Sequence, residues 1–113
     1  MSISNPDIID AVAANENKLI LLISDHLRWD NYQVAHLKML QDKLNTYIRY
    51  IEQGGYKERF PDKSFSEYII EIQFLHQYDE GFARMVALAK PKLDKKNITI
   101  VYEAAKSPSD TQE

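Results

Sequence analysis

Ser24, Asp25, His26, Trp29 and Asp30 crowd one short stretch of the chain. A carboxylate next to an imidazole is the pairing that general acid–base catalysis uses. Imidazole and carboxylate together also ligate transition metals. The other two histidines are His36 and His76. The candidate polar site is therefore Asp25, His26, His36 and His76. Each member also has a plainer reading: Ser24 and Asp25 can accept hydrogen bonds from the local backbone of a chain reversal, and His26 can be satisfied by a carbonyl. Asp30 reads as a helix cap and Trp29 as the residue packed in front of it. No histidine spacing matches His-Glu-x-x-His, and there is no Gly-x-Gly-x-x-Gly, P-loop or Gly-x-Ser-x-Gly elbow. Only three glycines are present, too few for a phosphate-cradling loop, and the absence of cysteine rules out thiolate metal sites and disulfides. No catalytic residue, metal or cofactor is assigned, and an enzyme is the less favoured class.

The elements that must position these residues follow from periodicity. Asn5-Pro6-Asp7 reads as a turn. Ile8–Ala14 and Lys18–Asp25 read as an antiparallel hairpin around Asn15-Glu16-Asn17, with asparagine supplying the positive φ. The second strand, Leu19 to Ile23, is apolar on both faces and so belongs at the centre of a sheet. A long helix is expected over Asn31–Gln53. Asp30 is its N-cap, Gln33 completes a capping box, and Trp29 with Val34 forms a hydrophobic staple. Its apolar stripe runs Val34, Leu37, Leu40, Leu44, Ile48 and Ile51, and Gly54-Gly55 ends it. Tyr56 to Ser66 is a loop held down by aromatic rings. The next strand lies within Glu67–Gln77, where Tyr68, Ile70, Ile72 and Phe74 alternate with Glu71 and Gln73. Asp79 caps a second helix, which Pro91 is expected to kink or break near Leu88–Lys90. Asn97 turns the chain into a last strand, Ile98–Glu103.

The order β-β-α-β-α-β predicts an α+β fold, a two-layer sandwich. Two crossovers of the same hand put both helices on one face of a mixed four-stranded sheet. Strand orders 1-2-3-4 and 2-1-3-4 both fit. The chain of 113 residues suits one domain, residues 1–105, followed by a disordered polar tail over 106–113. With parallel central strands, His26 and His76 fall at the same C-terminal sheet edge, where ligands of open sheets collect.

The other face of the sheet is left without a cover. Glu71, Gln73, Thr99 and Glu103 point to it, and one apolar row of the second strand must join them, with Val101 and Ile69. Ile20, Leu22, Glu71, Gln73 and Val101 are therefore a candidate interface for a homodimer or another protein. The plainer alternative is that Gln73 and Glu71 fold over the strip. A second candidate surface runs along helix one, where Tyr32, His36, Met39, Lys43 and Tyr50 sit at the margin of the core face. An aromatic and methionine stripe at helical spacing is more often the edge of the core, and that is the favoured reading of this margin. Net charge is −3, which argues against nucleic acid as a partner. No apolar run is long enough to span a membrane and no leader is visible, so a soluble cytoplasmic protein is expected.

The stretch Ile23-Ser24-Asp25-His26-Leu27-x-Trp29-Asp30, followed by His36-Leu37-x-x-Leu40-Gln41-x-Lys43-Leu44-Asn45-x-Tyr47-Ile48, resembles an uncharacterised bacterial family described only as a domain of unknown function. Asn5-Pro6, Ile9-Asp10, Ile51-Glu52 and Tyr56 with Pro61 fit the same pattern, and the resemblance spans roughly Asn5 to Tyr102. Where family members carry further acids after Trp-Asp, this chain has Asn31-Tyr32-Gln33. The resemblance implies no activity and transfers no functional residue.

Two functions from different classes fit this sequence. The first is a small protein-interaction module, with an immunity or antitoxin-like protein as one concrete form, working through the open sheet face or the helix-one surface. The second is a small enzyme or ligand-binding domain centred on Asp25, His26 and His76.

Overall fold

The computed structural model describes residues 9–29 and 33–104. Its elements are β1 (Ala11–Asn15), β2 (Lys18–Asp25), α1 (Gln33–Glu52), β3 (Glu67–Phe74), α2 (Glu80–Asp94) and β4 (Ile98–Ala104), with a 3₁₀ turn at Gly55–Glu58. The sheet order is β1-β2-β3-β4. β1 and β2 are antiparallel, while β2–β3 and β3–β4 are parallel. This is the expected β-β-α-β-α-β fold, a mixed four-stranded sheet with two helices, in the first of the two strand orders.

The core lies between the helices and one sheet face. Leu19, Leu21 and Ile23 of β2, Ile70, Ile72 and Phe74 of β3, and Ile98 of β4 are buried together with Leu40, Leu44, Tyr47 and Ile51 of α1 and Phe82 and Leu93 of α2. The period-two alternation of the strands decides which rows these are. Ile20 and Leu22 therefore point to the opposite face.

Several local expectations change. The hairpin closes on Glu16 and Asn17, and Glu16, with φ 56°, takes the left-handed position expected of asparagine. Asn97 does take it, at φ 61°, and turns the chain from α2 into β4. Gly54, with φ 70°, carries the chain out of α1, a conformation that costs glycine nothing because it lacks a Cβ. α2 continues to Asp94 across Pro91. Pro91 cannot donate to the carbonyl of Ala87, but both residues are exposed, so water can satisfy that carbonyl. Asp79 caps α2 as expected, its side chain accepting the N–H of Gly81 at 2.8 Å.

The apolar stripe predicted for α1 is rotated. Val34 is 85% exposed, so it does not form a staple with Trp29. The buried seam is His36, Leu40, Lys43, Leu44, Tyr47 and Ile51. Two polar residues occupy core positions because buried acids on the sheet side draw them inwards. Asp30 as cap, Tyr32, the start of the first strand at Ile8, the Asn5-Pro6-Asp7 turn and the tail over 106–113 lie outside the described residues.

Candidate functional site

Asp25 closes the buried row of β2 and is only 1% exposed, so its carboxylate must find partners inside the protein. One oxygen accepts the N–H of Leu27 at 3.0 Å. The other meets Nε2 of His36, which is 2% exposed, at 2.5 Å. Nδ1 of His36 lies 3.2 Å from the carbonyl oxygen of Arg28. Both ring nitrogens thus face oxygens, one of the Asp25 carboxyl and one of the backbone. The Trp29 ring stacks on His36, nearly parallel, with centroids 3.7 Å apart. Trp29 also meets Phe74 edge-on.

This pair does not have the wiring of an acid–base catalyst. In a relay, the second imidazole nitrogen faces a reacting group. Here it faces a backbone carbonyl. Asp25, His36 and Trp29 instead tie the chain leaving β2 to the first half of α1.

His26 is exposed and lines a shallow cleft of about 270 Å³ with Ser24, Gln73 and Leu75. His76 lines another, about 350 Å³, with Arg28, Trp29, Tyr78 and Asp79. Among the four candidate polar residues, the structure joins Asp25 to His36 and places His26 and His76 in separate clefts. Among the described residues, no group of three or more histidines and acids is arranged to hold a metal.

A second buried pair lies further along α1. Lys43, with 0% exposure, reaches Asp10 at 3.0 Å and also lies over the Tyr47 ring. The Tyr47 hydroxyl accepts the N–H of Asp10 at 2.9 Å and donates to the carbonyl of Leu22 at 2.5 Å. It bridges the two strand segments where the β1–β2 ladder ends. Burial pushes the Tyr47 hydroxyl well above the ordinary phenol range; the Asp10 carboxylate adds to the rise and the Asp10 N–H opposes it. Asp10 and Tyr47 were not among the candidate residues. The available signal was an acid next to the first strand and a lysine seven positions after His36, on the same helical face.

The helix-one margin is not one continuous surface. His36 and Lys43 are interior, Met39 is half-buried, and the half-buried Tyr50 packs its ring against Gly55. Burial raises the Tyr50 hydroxyl as well. At the far end of the sheet, the Tyr56 hydroxyl lies 3.1 Å from that of Tyr68, and this neighbour together with burial pushes Tyr68 up to about 12.

The open sheet face can be laid out row by row from the strand register. Asn15, Lys18 and Glu67 form the first row, and Ala13, Ile20, Ile69 and Thr99 the second. Ala11, Leu22, Glu71 and Val101 form the third, and Ser24, Gln73 and Glu103 the fourth. The five sheet residues predicted as an interface, Ile20, Leu22, Glu71, Gln73 and Val101, thus share one face. Val101 is 41% exposed, while Ile20, Leu22, Ile69 and Glu71 are half-buried by their neighbours.

No described helix is long and apolar enough to cross a membrane. No curated protein matches the chain, and no solved structure does. The family comparison is positive over nearly the whole length: the chain belongs to the family of unknown function DUF6572, which it matches over residues 1–106.

Proposed function

We propose that this protein is a small cytoplasmic protein-interaction module that works through its open sheet face. The observation that carries this reading is the apolar patch of Ala11, Ala13, Ile20, Leu22, Ile69 and Val101, which encloses Glu71 and is bordered by Lys18, Glu67, Gln73, Thr99 and Glu103. An apolar centre with a polar rim is the usual anatomy of a protein interface. The lack of cysteine suits a reducing compartment. An immunity or antitoxin-like role is one form of this reading, drawn from the size and acidity of the chain, and a toxin-like gene beside its own would favour it.

The alternative, an enzyme or ligand-binding domain around Asp25, His26 and His76, has less support. Both oxygens of Asp25 are occupied internally and the two histidines line different clefts.

The test is affinity capture from cell extract with the native chain and with Leu22→Asp and Val101→Asp variants, after circular dichroism shows that the variants fold. A partner retained by the native chain and lost by both variants supports the reading. An identical set of captured proteins for all three contradicts it.

A further inference from the structure

Glu71 lies on the open face of β3, an interior strand, in the third row of the sheet. Leu22 and Val101 flank it across the strands, and Ile69 precedes it on the same face. It is half-buried and forms no ion pair among the described residues. The nearest precedents within the molecule are Asp10 and Asp25, and each of these acids is matched by a basic residue of α1. Among the described residues Glu71 has no such partner, because α1 and α2 both pack on the other side of the sheet.

Any protein docking on the apolar patch must strip water from this carboxylate. The desolvation is costly unless the partner brings a positive charge to the same point. Building on the interaction reading above, we infer that the open face takes a partner protein presenting an arginine or lysine from within an apolar patch, its cation seated on Glu71. Apolar side chains around that cation pack on Ile20, Leu22, Ile69 and Val101. Glu67 and Glu103, at the border, extend the preference for a basic partner.

A second copy of the chain fits this face poorly. The described strand residues here carry three carboxylates, Glu67, Glu71 and Glu103, and one cation, Lys18, which already lies 3.8 Å from Glu67. Two copies face to face would set these carboxylates against the same set, with Lys18 in an outer row.

The experiment pans a random peptide library, displayed on phage, against the immobilised full chain. The expected enriched peptides contain an arginine or lysine flanked by apolar residues. The best of them, made synthetically, binds Glu71→Gln at least about tenfold more weakly and does not bind Leu22→Asp. Added salt weakens its binding to the native chain and barely affects its residual binding to Glu71→Gln. Should Leu22→Asp fail to fold, Val101→Asp takes its place.

Peptides lost on Leu22→Asp but indifferent to Glu71→Gln would overturn the inference and leave the interaction reading standing. Peptides indifferent to both variants, or no enrichment at all, would count against both. A dimer of the native chain in light scattering that Val101→Glu dissolves would assign the face to a second copy, and overturn the inference in that way.

Discussion

The two faces of this sheet treat acidic residues in opposite ways. On the helix side, Asp10 and Asp25 are buried and each is met by a base from α1, Lys43 or His36. On the open side, Glu71 stands between Leu22 and Val101 and forms no ion pair among the described residues. A carboxylate removed from water needs a partner charge or hydrogen-bond donors. The chain supplies these where its own helix covers the sheet; on the open face no ion pair does so for Glu71 among the described residues.

Removing the base from a buried pair should have the largest effect. Lys43→Ala leaves Asp10 charged and enclosed, and is expected to cost about 3–5 kcal/mol in urea denaturation. Replacing both members with apolar residues, as Asp10→Leu with Lys43→Met, should cost much less than the two single changes added together, and a double-mutant cycle reads the difference. His36→Ala belongs to the same class, since it strands Asp25 and removes the ring on which Trp29 stacks. Its signature is loss of the near-ultraviolet tryptophan band together with stability.

Tyr47→Phe comes next. It keeps the ring but leaves the Asp10 N–H and the Leu22 carbonyl without their bridge, for an expected loss of about 1–3 kcal/mol. The same hydroxyl predicts an alkaline limit. Tyr47 and Tyr68 both titrate above the ordinary value of 10.0 in the folded protein. Their contribution to stability is therefore complete below pH 10 and falls as pH rises towards about 12, where Tyr68 ionises. The urea midpoint should drop across that interval, and less steeply in Tyr47→Phe. The smallest effect belongs to the exposed pair Lys38–Asp42 on α1. Lys38→Ala should change stability by no more than about 0.5 kcal/mol, because solvent screens an i,i+4 pair.

The strands and their faces were legible in the sequence because alternation is a local signal: Tyr68, Ile70, Ile72 and Phe74 against Glu71 and Gln73 announces a half-covered strand. The buried face of α1 was legible only in part. Leu40, Leu44 and Ile51 lie where the apolar stripe puts them, but Val34 is outside, and His36, Lys43 and Tyr47 are inside. A hydropathy pattern treats histidine and lysine as surface residues. Their burial depends on Asp25 and Asp10, which are remote in sequence and reach them only after the sheet forms. The pairing inside the candidate polar site was hidden for the same reason. Asp25 is the sequence neighbour of His26, yet successive residues of an extended chain face opposite ways, and its partner is His36 on the helix.

The contrast between the faces reduces to one comparison: the folding free energies of Asp10→Leu and Glu71→Leu, measured side by side by urea denaturation. Asp10→Leu should lose about 3 kcal/mol or more, because it breaks the buried Lys43–Asp10 ion pair. Glu71→Leu should lose nothing, and can gain a few tenths of a kcal/mol by adding an apolar side chain to an interior strand. A loss above about 1 kcal/mol for Glu71→Leu would make Glu71 part of the fold itself and contradict the account.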